Sequence, residues 1–142
     1  ETDAIVGMQD MGAAGITCST SEMSAGGGVG MDIYLDKVPT RQAGMQPFEI
    51  LLSESQERMM AIVPQSQLKA FEEIVNKWEV EYSVLGEVIG EDRLYINWGE
   101  QEIVNVPPRT VAHDGPVYHR PVEYPKYQDA LNANSTKKNC RC

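Results

Sequence analysis

Apolar residues fill positions 4 to 10 almost without a break, and from Ala13 to about Ser24 the chain turns small and hydroxylic. The first pattern predicts a buried central strand. The second predicts a helix that can approach a sheet closely, though Gly15 and its Ser/Thr content give it poor intrinsic propensity, so packing must hold it. Gly26-Gly27-Gly28 ends that helix. Over residues 30 to 36, Met31, Ile33 and Leu35 alternate with Asp32, Tyr34 and Asp36, the period of a half-exposed strand. Lys37 to Gln46 reads as a loop. Pro47 suits a first helical position, with Phe48, Leu51 and Leu52 sharing a face over the next turn. Met59 to Val63 is uninterrupted apolar sequence and predicts a second buried strand. From Ser66 to Glu79 the helical period is clearest, with Leu68, Phe71, Ile74, Val75 and Trp78 on one stripe and Lys69, Glu72, Glu73 and Lys77 opposite. Strand alternation follows through Val80, Tyr82, Val84 and Val88, then a turn at Gly90-Glu91-Asp92. Leu94, Ile96 and Trp98 form another alternating run, and Ile103 to Val106 a last one, so this end reads as antiparallel hairpins. The sum is an α+β domain, a mixed β-sheet with packed helices.

The first strand runs out at Asp10 and hands over to a glycine-punctuated turn and a helix start. In open α/β sheets ligands gather at such strand tips, beside helix-start N–H groups. Asp10 could equally cap the helix that follows it. Glu54 and Gln56 could be polar residues of a helix exit, and His113 and His119 read as surface residues of a Pro- and Gly-rich stretch. Gly12-x-x-Gly15 is not a dinucleotide fingerprint, no phosphate loop occurs, and no Ser-His-Asp or Cys-His pairing has a persuasive spacing. Spacing alone therefore reaches an anion or metal-phosphate pocket and stops there.

Charge and cysteines narrow the class. The 142 residues carry 12 basic and 21 acidic side chains, a net charge of −9, which argues against a nucleic-acid partner. No apolar run approaches the roughly 20 residues that span a bilayer, and the first residues resemble no targeting peptide, so the chain reads as cytoplasmic with no membrane partner. Cys18, Cys140 and Cys142 form no disulfide framework or zinc site. The polar stretch of residues 122–142 reads as a linker or tail, and the glycosylation pattern Asn134-Ser135-Thr136 within it as a chance match.

The residues carry a resemblance as well. Gln9-Asp10-Met11-Gly12-Ala13-Ala14-Gly15-Ile16-Thr17, Thr20-Ser21-Glu22-Met23 and above all Leu52-Ser53-Glu54-Ser55-Gln56-Glu57-Arg58-Met59 resemble the phosphoribosylformylglycinamidine synthase family of purine biosynthesis. Leu35-Asp36-Lys37-Val38-Pro39, Gly44-Met45-Gln46-Pro47-Phe48-Glu49 and Pro116-Val117-Tyr118-His119-Arg120-Pro121 follow the same pattern. The likeness covers about residues 4 to 121. It implies an AIR synthase-related C-terminal-type domain over residues 1–121, the closing portion of the first synthetase half, beginning just after a helix that the family carries before the Asp10 strand.

The resemblance also implies chemistry. The family converts formylglycinamide ribonucleotide to the amidine with ATP, Mg²⁺ and ammonia from a glutaminase domain or subunit. ATP activates the amide oxygen as an iminophosphate-like species, and ammonia displaces phosphate. By residue-wise carry-over, Asp10 matches a Mg²⁺ ligand, and Glu54, Ser55 and Gln56 match the segment that contacts the ribonucleotide. Thr17, Ser19 and Thr20 are candidates for phosphate contact on their hydroxyls alone. The family's catalytic histidine and most of its ATP-binding residues lie in an upstream ATP-binding domain, and neither His113 nor His119 fits the histidine motif, so no catalytic residue is expected here and the chain alone is expected to be inactive. Cys18 stands where relatives often have serine, which favours packing. A shortened domain would expose apolar surface and favour self-association. The alternatives are a domain of another ATP-dependent AIR synthase-related enzyme, or a noncatalytic interaction module.

Overall fold

Two alternating runs find each other first in the sheet. A computed structural model describes residues 4–133; Asn134-Ser135-Thr136, Cys140 and Cys142 lie outside the described residues. β2 (Gly30–Tyr34) and β5 (Leu94–Trp98) run parallel, with Met31 opposite Leu94 and Ile33 opposite Ile96. Because side chains on one face recur every second residue, this register gathers four apolar side chains on one face. β6 (Gln101–Val106) adds Val104 and Val106 to that face by antiparallel pairing with β5, and β4 (Gly86–Ile89) pairs antiparallel with β2 on the other side. The order is β4-β2-β5-β6, a mixed four-stranded sheet.

β4 and β5 are therefore not a hairpin, contrary to the sequence reading. β2, the most buried strand of the sheet, lies between them. The turn after β4 carries the chain across the end of β2, where the Met31 N–H donates to the Arg93 carbonyl at 3.1 Å. Gly30 lies so close to the Glu91 and Arg93 carbonyls that a Cβ would clash with backbone. Residues 80–85, expected as strand, have no ladder; Leu85 accepts from the Tyr34 N–H at 2.9 Å and the Ser83 hydroxyl donates to the Lys37 carbonyl at 2.6 Å.

α1 (Gly15–Gly27) packs on the apolar face, with Ile16 in a core of Met11, Met31, Ile33, Leu35, Ile50, Leu94 and Ile96. α2 (Pro47–Leu52) begins with Pro47 and a capping box in which the Glu49 carboxylate accepts from the Gln46 N–H at 2.7 Å. Its buried side chain is Ile50, at 2% exposure, whereas Phe48, expected inward, is 63% exposed. α3 (Leu68–Lys77) carries the anticipated stripe. It lies on the outside, so Leu68, Phe71 and Val75 are only half-buried and Ile74 and Trp78 are exposed. α4 (Pro108–Ala112) packs across α1, and α5 (Gln128–Asn132) falls in the stretch read as a tail.

The two apolar runs read as buried central strands form instead a separate two-stranded ribbon. β1 (Gly7–Asp10) pairs antiparallel with β3 (Met59–Ile62). A two-stranded ribbon has one face to pack, so Met60 and Ile62 turn to the core while Met8 and Met59 are 57% and 52% exposed. No helix among the described residues is long and apolar enough to cross a membrane.

Ile96→Ala, which removes a buried side chain from the centre of the sheet, is expected to cost about 2–5 kcal/mol in urea unfolding, against less than about 1 kcal/mol for Phe48→Ala.

Candidate functional site

The ribbon sets the site. Asp10 and Met59 are cross-strand partners, so the turn that leaves β1 (residues 10–14) and the loop that enters β3 (residues 53–58) start side by side, despite being more than forty positions apart. Two hydrogen bonds then join them, and a third ties the helix that follows, α1, to α2. The Met11 N–H donates to the Arg58 carbonyl at 3.0 Å. The Ala14 N–H donates to Glu54 Oε1 at 2.8 Å, and the Thr17 hydroxyl to the Leu51 carbonyl at 3.3 Å.

The start of α1 is shaped by this junction. Ala14 (φ 50°) and Gly15 (φ 54°) both adopt the left-handed conformation, which costs a residue with a side chain and suits glycine. A Cβ on Gly15 would lie 2.8 Å from the Leu51 carbonyl oxygen and closer still to that of Ser53. The carbonyl end of α2 thus faces the positive N-terminal end of α1, and Glu54 adds a carboxylate there. That end of the helix is already neutralised from within.

Each sequence-derived candidate can now be placed. Asp10 is exposed; its Oδ1 accepts from the Gly12 N–H at 2.9 Å, closing a local turn, and the helix cap expected as the alternative is not formed by it. Glu54, Ser55 and Gln56 are exposed, and Ser55 and Gln56 make no side-chain hydrogen bond among the described residues. Ser19 and Thr20 do not face a ligand surface: both are fully buried, and their hydroxyls donate to α1 carbonyls, Ser19 to Gly15 at 3.2 Å and Thr20 to Ile16 at 2.7 Å. Mid-helix hydroxyls in an apolar interior satisfy themselves on the preceding turn. Thr17 is half-buried with its hydroxyl on Leu51. His113 and His119 are exposed and far along the chain from these elements.

Sequence reasoning missed two residues. Glu22, one turn into α1 beyond Cys18, accepts from Gln9 Nε2 at 2.8 Å and from the Cys18 thiol at 3.2 Å. Only the i, i+4 spacing of Cys18 and Glu22 signalled it. The hydrogen bond to Glu22, burial and the charges of Glu22 and Asp10 all push the Cys18 thiol up, which opposes a nucleophilic role. Arg58 closes the 53–58 loop by donating to the Ser53 carbonyl, and its buried Nε finds no acceptor among the described residues.

The surroundings of Asp10 are acidic, with Glu22, Glu54 and Glu57 on the adjoining segments. No group of three metal-ligating side chains occurs among the described residues. Mg²⁺ commonly takes one or two protein carboxylates and completes its shell with water and phosphate oxygens, so one exposed aspartate with a free oxygen fits a shared magnesium site. Two surface hollows, of about 440 Å³ beside Asn76 and Tyr82 and about 260 Å³ beside Tyr34 and Glu87, share no residue with the junction. The candidate site is an open surface.

Comparison with known proteins follows the same residues. The family described as AIR synthase related protein, C-terminal domain, matches residues 1–99. The phosphoribosylformylglycinamidine synthase subunit PurL of Nocardia farcinica is 56% identical over 131 residues, 92% of this chain and 17% of its own length. The same subunit of Rhodococcus erythropolis is 54% identical over 132 residues, 93% of this chain and again 17% of its own. The chain thus spans about a sixth of the length of these curated relatives. Among solved structures, T. maritima PurL complexed with FGAR superposes with a TM-score of 0.70 at 32% identity, over 86% of this chain and 21% of that one. T. maritima PurL complexed with ADP gives 0.71 at 34% identity, over 86% and 22%.

Two outcomes are expected. Gly15→Ala, which needs a left-handed alanine and a Cβ against two carbonyls, should destabilise the fold by about 2 kcal/mol or more in thermal unfolding. Alkylation of Cys18 followed by peptide mass spectrometry should show a pH midpoint above the ordinary thiol value, and Glu22→Gln should move that midpoint down, because it removes the charge that opposes the thiolate.

Proposed function

The chain belongs to the family described as AIR synthase related protein, C-terminal domain, and we propose that it serves as one part of a phosphoribosylformylglycinamidine synthase. The reaction is the ATP-dependent conversion of formylglycinamide ribonucleotide to formylglycinamidine ribonucleotide, with nitrogen from glutamine supplied through a glutaminase domain or subunit. The observation that carries this reading is the pairing of the Asp10 turn with the Glu54-Ser55-Gln56 loop on one open surface, in a chain 56% identical to a PurL subunit.

Bound Mg²⁺ and ATP supply charge screening and the phosphoryl group that activates the amide oxygen. The contribution of this chain is positional. Asp10 offers a free carboxylate oxygen on a turn fixed at both ends, suited to hold a cation without a large rearrangement. Ser55 presents a hydroxyl and Gln56 a carboxamide, which together offer donors and acceptors for a ribonucleotide amide. Both are free of protein partners among the described residues, so ligand binding need not break an existing side-chain bond. An open surface with no enclosing wall agrees with a site completed by an upstream ATP-binding domain. The protein works in the cytoplasm in this reading, and the isolated 142-residue chain forms no amidine.

Isothermal titration of the full-length enzyme with formylglycinamide ribonucleotide tests the reading. Gln56→Ala should weaken binding about tenfold, equivalent to about 1.4 kcal/mol, as expected for loss of hydrogen bonds to a buried ligand amide. Unchanged affinity would remove the substrate role. Asp10→Asn should raise the Mg²⁺ concentration needed for half-maximal activity, with little change in the thermal unfolding midpoint of an exposed residue; an unaltered Mg²⁺ requirement would remove the metal role.

A further inference from the structure

We propose that Glu54 is a positioning residue: by holding the Ala14 N–H through Oε1 it fixes the turn that presents Asp10, a duty that Ser55 and Gln56 beside it do not share. This rests on the substrate reading above and gives the first member of the Glu54-Ser55-Gln56 segment a structural duty of its own.

The geometry separates them. Glu54 Oε1 is already committed, accepting from Ala14 N at 2.8 Å across forty positions of chain. Ser55 and Gln56 have no such commitment and sit at the tip of a closed loop. Glu57, with φ 65°, turns the chain back, and Arg58 shuts the loop through its side chain on the Ser53 carbonyl and its own carbonyl on the Met11 N–H. The tip therefore projects while the base is pinned.

The same bond governs Asp10. Ala14 keeps its left-handed conformation, at φ 50°, only while its surroundings impose it. Gly12, two residues earlier, gives its N–H to Asp10 Oδ1 at 2.9 Å. If Ala14 relaxes toward an ordinary conformation, the peptide planes between it and Gly12 rotate, and the bond that orients the Asp10 carboxylate is released. Glu54 thus acts on the cation ligand through three residues of backbone, and it does so as a hydrogen-bond acceptor. Its negative charge is not the essential property.

That distinction makes E54Q decisive, because the glutamine carbonyl oxygen accepts the same bond. Amide exchange at Ala14, measured on the chain by NMR, should be at least tenfold faster in E54A and within twofold of wild type in E54Q. In the full-length enzyme, E54A should raise the half-saturating Mg²⁺ concentration about tenfold with a smaller effect on the KM for formylglycinamide ribonucleotide, and E54Q should restore both. Q56A should raise that KM and leave Ala14 exchange untouched. E54Q as damaging to KM as E54A, with Ala14 exchange unchanged in both, would overturn the proposal, since Glu54 would then bind the ligand through its charge. So would a folded E54Q that exchanges Ala14 as fast as E54A. A Q56A enzyme with normal KM would instead defeat the substrate reading, while leaving the Ala14 exchange result to stand for itself.

Discussion

A carboxylate-to-amide hydrogen bond, from the Ala14 N–H to Glu54 over forty residues of chain, ties the Asp10 turn to the 53–58 loop, the two segments of the proposed site. It does so at a helix start where other acceptors are already gathered. The carbonyls of Leu51 and Ser53 face Gly15, and Thr17 donates to Leu51. The N–H groups at the start of a helix need partners, and here the loop after α2 supplies one, the Glu54 carboxylate on the Ala14 N–H. The consequence is a helix terminus with carbonyl oxygens and a carboxylate gathered against its positive end. The hydroxyls of Ser19 and Thr20 turn inward onto α1 carbonyls, and the exposed side chains nearby are carboxylate, hydroxyl and carboxamide.

The sheet and the ribbon divide the labour. The β4-β2-β5-β6 sheet and the small-residue face of α1 hold the core, and the hydroxyls of Ser19, Thr20 and Ser21 are satisfied on α1 carbonyls, so a helix of weak propensity is stable where it is buried. The β1–β3 ribbon contributes less burial and more placement. Its antiparallel register puts Asp10 opposite Met59, and every contact of the 10–14 turn with the 53–58 loop follows from that alignment.

Much of this was legible from side-chain period. The strand alternation of β2 and β5, the proline start of α2, the stripe of α3 and the glycine end of α1 are local signals, and local structure followed them. What period could not show was partnership. The apolar runs of β1 and β3 looked like central strands because an uninterrupted run does not reveal how many neighbours a strand has; Met8 and Met59 are exposed for want of a second layer. Likewise β4 and β5, joined by a short turn, looked like a hairpin until the parallel pairing of β2 with β5 intervened. At the site, the residue pattern and family likeness singled out Asp10 and Glu54 to Gln56, and the structure brings their two segments together. The inward hydroxyls of Ser19 and Thr20, and the role of Glu22 beneath Gln9 and Cys18, needed the third dimension, because composition cannot tell which side of a small-residue helix meets the core.

The central claim is that the Asp10 turn and the Ser55-Gln56 tip act on one ligand assembly. A double-mutant cycle of Asp10→Asn with Gln56→Ala, read as formylglycinamide ribonucleotide affinity of the full-length enzyme in the presence of Mg²⁺ and a nonhydrolysable ATP analogue, tests it most directly. Coupling of about 0.5 kcal/mol or more is predicted, as for groups that share a network. Effects that add within about 0.3 kcal/mol would mean that the two segments serve separate sites, and would contradict the account.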